Sequence, residues 1–275
     1  MPEILINFLK TLPNHWTLAS SNPFFSIMIA MYAKHIDLGK FTQDELDQII
    51  RNASQMADLP SSIDSLSKQF LGIGYSEQTL IGDKDTQEVF VINLRELDCF
   101  TFIEYVEAMR LSVSFQDFGM HLRKVRYKSG AVDFTSRNHF FTDWREDNTE
   151  FVNDITEEIG GMHTAMTHKI LNEKEDGTPF VPGLAPVERE VSYIPSGAVD
   201  AISEKLRTGD YLGIYSKVKG LDVSHVGIII REDNTIFLRH GSSQKKYRKV
   251  IDQDFHRYIA GKPGIIVLRP IDSKY

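Results

Sequence analysis

The chain has 275 residues, 41% hydrophobic and 25% charged, which are ordinary globular values and argue against disorder. At this length roughly three-quarters of the unfolded surface can be buried, in one large domain or two small ones, without a disulfide or metal staple. With 31 Lys and Arg against 38 Asp and Glu, the formal charge is −7, which demotes nucleic acid because affinity for phosphate backbones comes mainly from basic side chains.

Residues 1 to about 70 read as helical. The apolar stretch Phe24 to Ala33 is too short to span a bilayer, so no transmembrane segment is expected. It starts late for a signal peptide, with only Lys10 supplying positive charge before it. A buried helix fits better, with Asn22 as cap, Pro23 at the first helical position and Gly39 closing the end. Thr42-Gln43-Asp44-Glu45 is a capping-box pattern, followed by Leu46, Ile49 and Ile50 at helical spacing. A further helix start is expected at Ser62, with Ile63, Leu66 and Phe70 on one face. The boundary between an N-terminal helical extension (1–60) and the main domain (61–275) is placed there. No internal repeat or low-complexity tract is visible.

Val89 to Asn93 is a short β-rich run. It leads to Asp98, a good N-cap, and a helical pattern through Met109. Residues 110 to 190 are mixed: the aromatic cluster Phe134 to Trp144 lies there, and Pro179, Pro182, Gly183 and Pro186 mark a long loop. Strands are expected at Tyr211 to Tyr215, Val226 to Arg231, Thr235 to Arg239 and Ile265 to Leu268. A helical first half and a strand-rich second half predict an α+β fold.

Cys99, the single cysteine, can form no intramolecular disulfide and no Cys-rich zinc site, so cysteine pairing assigns no compartment. Its place in the first turn of a helix, where free N–H groups and the helix dipole favour a thiolate, suits a nucleophile; a buried structural cysteine is the alternative. His225 and His240 flank a hairpin whose turn is Glu232-Asp233-Asn234-Thr235. With Asp233 and Asn234 at the tip, residue 230 faces 237 and residue 227 faces 240, so His225 and His240 share a face as diagonal neighbours, about 7–8 Å apart at the backbone. Cys99 as nucleophile, His225 as general base and His240 as the group orienting it form one reading; two incidental strand-end histidines form the other. A second constellation, Arg137, His139, Asp143 and Trp144, combines a donor fork, polar contacts and a flat ring suited to a sugar or carboxylate, or else is an aromatic core segment. His163 and His168 fit one helical face poorly and have no evident further ligand, so neither a metal nor another cofactor is expected. No phosphate-binding glycine motif occurs.

Four segments together resemble the NlpC/P60 cysteine peptidase superfamily, and within it the DUF1460 branch of muropeptide amidases. They are Asn93 to Glu104, including Asp98-Cys99; Gly209-Asp210; Gly220 to Ile228, including His225-Val226-Gly227; and His240-Gly241-Ser242-Ser243, with the Arg137 to Trp144 segment alongside. The match spans about 65 to 270. The resemblance implies a papain-like α+β fold with the helix bearing Cys99 against an antiparallel sheet; residues 1–60, read as extra N-terminal helices, lie outside the matched motifs. It implies catalytic positions at Cys99, His225 and His240. It also makes Tyr75 a candidate oxyanion donor, although Gly74 stands where a proline-like residue is expected. Phe100 and Gly241 depart from the commoner small residue and alanine. The implied activity is hydrolysis of the N-acetylmuramoyl-L-alanine bond of a muropeptide, especially one ending in 1,6-anhydro-N-acetylmuramic acid, with Arg137, His139, Asp143 and Trp144 on the sugar side. The alternatives are a γ-D-glutamyl–diaminopimelate endopeptidase, a non-catalytic cell-wall fragment binder, and a toxin-like amidase acting on a partner cell's wall or a host protein.

Overall fold

The computed structural model describes residues 35–272; the expected Phe24–Ala33 helix and its Asn22 and Pro23 cap lie outside these residues. Gly39 closes no helix. It sits in a turn after strand β1 (His35–Asp37), with φ +59 and room for no side chain, since a Cβ would lie 2.7 Å from the Arg95 backbone.

Helix α1 (Gln43–Ser54) starts at the expected capping box: Thr42 Oγ1 accepts from the Glu45 N–H, and Glu45 Oε2 accepts from the Thr42 N–H. Helix α2 (Leu59–Lys68) begins earlier than Ser62, because Asp58 supplies the cap, accepting from the Ser61 N–H at 2.8 Å, and Pro60 suits the first turn. Strands β2 (Gly74–Tyr75), β3 (Val91–Asn93) and β4 (Glu96–Leu97) are short; β3 pairs with β1 in a separate parallel pair.

Helix α3 (Cys99–Arg110) is capped by Asp98, whose Oδ1 accepts from the Phe100 and Thr101 N–H groups. Every residue from Thr101 to Met109 is buried, so α3 is the central helix and shows no strong polar face. It packs against α2, α4 (Phe115–Arg126) and the sheet. Its buried acids are paired: Glu104 with Arg126 of α4 at 2.7 Å, and Glu107 with Arg110 and the Tyr211 hydroxyl. Leu46, Ile50 and Ala53 of α1 join the same core as Ile63, Leu66 and α3, so α1, which precedes residue 60, packs with α2 and α3.

The remaining elements are α5 (Phe141–Asp147), β5 (Val152–Asp154), α6 (Thr156–Gly160), β6 (Ala165–Leu171), β7 (Val187–Pro195), α7 (Val199–Ile202), β8 (Tyr211–Tyr215), β9 (Val223–Glu232), β10 (Thr235–Ser242), β11 (Lys249–Asp254), α8 (Phe255–Ile259) and β12 (Gly264–Pro270). The result is a mixed α+β fold around one curled sheet in the order β4-β2-β11-β10-β9-β8-β12-β7-β6, with β5 added beside β12. The four strands expected after residue 205 are present. Alternation along them divides the core: Val226, Ile228 and Ile230 face α3, whereas Ile229, Ile236 and Leu238 pack with Phe255 and Tyr258 on the other face. Arg239 pins α2 to the sheet through Asp252, Asp64 and Ser67. The Gly209-Asp210 pair is structural: Asp210 receives both Arg269 nitrogens at 2.8 Å, and Gly209, at φ +95, lies against Ile63.

Candidate active site

The β9–β10 hairpin turns at Asp233, which takes φ +50, and pairs Thr235 with Glu232 and Phe237 with Ile230. His225 and His240 consequently share a face, and the imidazoles meet with His225 Nε2 2.7 Å from His240 Nδ1 and their rings nearly perpendicular. Gly227 makes this approach possible, since a Cβ there would lie 3.0 Å from the His240 Cβ and 2.8 Å from Leu238. Next along β10, Gly241 passes close to the carbonyl of Asp98, so a side chain would crowd the start of α3.

His240 Nε2 lies 3.3 Å from Gln253 Oε1 on β11. A carbonyl oxygen only accepts, so His240 carries its proton on Nε2 and accepts on Nδ1. His225 then donates from Nε2, which leaves its Nδ1 with a free lone pair, the form a general base requires. Tyr258 of α8 packs over both rings, 5.0 Å from His240 and 6.1 Å from His225. Neither Gln253 nor Tyr258 was singled out by sequence reasoning. Their register on β11 and α8 depends on tertiary pairing, with Leu238 opposite Gln253.

Cys99 is half-buried at the first position of α3. Burial and the Asp98 carboxylate push its thiol up to about 12, against the downward pull of the Val226, Cys99 and Phe100 backbone N–H groups. This runs against the expectation of a dipole-stabilised thiolate: burial first, and the acidic cap second, outweigh the backbone N–H groups at the helix start. Burial, then His240, then the Lys262 ammonium, lower His225 to about 3, and burial lowers His240 to about 4 despite Gln253. At neutral pH Cys99 is therefore a neutral thiol, and His225 and His240 are neutral imidazoles.

Two consequences follow for pH. His225 remains a base as pH falls, so kcat/KM should hold from pH 7 down to about 5, and iodoacetamide labelling of Cys99 should show no inflection below about pH 10. An acid limb near 6.5 or a labelling inflection near 8.5 would overturn this picture. Above pH 6.5 the histidines are neutral in both folded and unfolded states. As pH drops toward 3–4 only the unfolded chain gains their protons, so the fold loses stability.

Tyr75 pairs with Leu97 across β2 and β4, two residues before Cys99, and its ring lies under the Arg248 guanidinium at 5.0 Å. Burial, then the charges of Cys99, Asp98 and Glu77, raise its pKa, so the hydroxyl keeps its proton and can donate.

Of the second constellation, only part is open to a cavity, and Cys99, His225 and His240 are not among the residues that line it. Arg137 and His139 line a cavity of 640 Å³ together with Asp98, Phe100 and Thr101 of the α3 start. The buried Thr79 Oγ1 and Asn138 Oδ1, also on residues of this cavity, have no hydrogen-bond partner. Arg137 is held by Glu88 and the Gly82 carbonyl, and His139 by the Phe134 carbonyl, with burial lowering its pKa to about 4. Asp143 is instead buried against Arg189 at 2.7 Å. Trp144 is wholly buried, stacked parallel to Phe141 and edge-on to Tyr211. It has no open face, which corrects its expected stacking role; an aromatic that fills the core beneath α5 offers no platform to a ligand. Among the described residues, no group of three or more His, Cys, Asp or Glu side chains could hold a metal ion, and no helix is long and apolar enough to cross a membrane.

The helix that starts at Cys99 packs against a curled sheet carrying the paired histidines, and the comparisons put this α+β fold among amidase-like hydrolases. Residues 65–265 match the AmiA-like family, described as N-acetylmuramoyl-L-alanine amidase-like, and the chain belongs to that family. A crystal structure of an N-acetylmuramoyl-L-alanine amidase from Bacteroides uniformis is 27% identical, with TM-score 0.66, covering 78% of this chain and 99% of that one. A Legionella pneumophila protein of the DUF1460 family, 21% identical with TM-score 0.71 over 83% of this chain and 94% of its own, shares the fold. No curated protein matches the chain.

Proposed function

We propose that the protein is a cysteine-dependent peptidoglycan amidase that hydrolyses the N-acetylmuramoyl-L-alanine bond of a muropeptide, with the NlpC/P60, papain-like arrangement its sequence resembles. The observation that carries the reading is the His225–His240 contact at 2.7 Å, relayed to Gln253, in a chain of the amidase-like family. His225 takes the Cys99 proton as sulfur attacks the lactyl carbonyl, because neither group is charged at rest. The imidazolium then protonates the leaving alanine nitrogen, giving a thioester. Water, deprotonated by the same imidazole, releases the muramic acid. The oxyanion is bound by the Cys99 N–H and the Tyr75 hydroxyl, each such donor contributing roughly 3–4 kcal/mol. Arg137 and His139 contribute to the sugar side from the cavity beside α3.

Mass spectrometry of the products from two substrates tests this reading. Incubation with a 1,6-anhydro-muramyl tripeptide should release the intact tripeptide, and Cys99→Ala should not. Cutting of the free tripeptide L-Ala-γ-D-Glu-diaminopimelate would instead establish an endopeptidase. Binding without cleavage of either would establish a fragment binder.

A further inference from the structure

Lys262 stands in the turn between α8 and β12, after Gly261 at φ +77 and before Pro263. Its ammonium lies 5.4 Å from the centre of the Tyr258 ring, the same ring that packs on His225 and His240. One aromatic ring therefore separates an exposed positive charge from the candidate base. Other cations near the site are engaged: Arg137 with Glu88, and Arg248 with the Tyr75 ring and carbonyl. Lys262 enters no salt bridge among the described residues, in a chain whose acids outnumber its bases.

This placement has a cost for the base, because the Lys262 charge opposes protonation of His225. A substrate carboxylate set against the ammonium would cancel that opposition as the imidazole takes up the thiol proton. The imidazole must also reach the leaving nitrogen, so a leaving group that approaches His225 past Tyr258 would bring its nearest carboxylate to this ammonium.

We propose that Lys262, held beside the histidine pair by Tyr258, is a specificity-determining residue that binds a carboxylate on the leaving-amine side of the scissile amide. The inference rests on the muramoyl-alanine amidase reading. In such a substrate the first carboxylate beyond the scissile nitrogen is the α-carboxylate of the γ-linked D-glutamate, one residue away.

Calorimetric titration of Cys99→Ala, which requires no turnover, tests the assignment with N-acetylmuramoyl-L-alanyl-D-glutamate and its α-carboxamide. With Lys262 present, the carboxylate should bind about tenfold more tightly than the carboxamide. Adding Lys262→Gln should abolish that preference, Lys262→Arg should keep it, and Lys262→Glu should invert it. A preference unchanged by Lys262→Gln, no preference with Lys262 present, or no binding of either ligand would overturn the proposal. If the wild-type protein releases no peptide while Cys99→Ala shows the lysine-dependent preference, the amidase reading fails and the carboxylate site stands.

Discussion

Cys99→Ala should lose at least about 10⁴-fold in kcat on an anhydro-muramyl peptide, with unchanged circular dichroism, because the removed sulfur sits at a helix start whose cap is Asp98. His225→Ala should fall about as far, since without the imidazole nothing accepts the proton of a thiol that burial holds far above neutrality. His240→Asn should fall roughly a hundredfold less, because an orienting group can be removed while nucleophile and base remain. Equal losses at His240 and Cys99 would show that His240 does more than orient. Turnover by Cys99→Ala would sink the cysteine mechanism.

The largest expected effect on stability is at Glu104. Its carboxylate and the Arg126 guanidinium are both at most 2% exposed in side chain and 2.7 Å apart; Arg126 also donates to the Val91 carbonyl, while its Nη2 already lacks a partner. Glu104→Gln would strand a guanidinium that cannot deprotonate, so urea unfolding should show a loss of about 3–5 kcal/mol. The double change Glu104→Leu with Arg126→Met removes both charges and should return to within about 2 kcal/mol of the wild type. A loss below about 1 kcal/mol for Glu104→Gln would mean that solvent reaches the pair.

The central geometry was legible in the sequence because a two-residue tip fixes a hairpin's register: once Asp233 and Asn234 form the turn, the faces of His225 and His240 follow by counting. The N-caps Thr42 and Asp98 were legible for a similarly local reason. Long-range positions were not. Gln253 lies on β11, whose Lys-Val-Ile-Asp-Gln-Asp sequence has no clear apolar alternation, and Tyr258 and Lys262 follow it through a helix of one turn. Strands β6 and β7 also escaped notice, since their pairing buries few apolar residues and leaves charges such as Glu188 and Glu190 exposed. Trp144 misled because polar neighbours along the chain say nothing about which way a side chain points.

The acidic cap beside the sulfur has one more consequence. Peroxide and disulfides attack the thiolate form of cysteine, and burial together with Asp98 favours the protonated Cys99 thiol. Burial, and after it the carboxylate that starts the central helix, would therefore also shield the proposed nucleophile from oxidation, in a chain with no second cysteine to resolve a sulfenic acid.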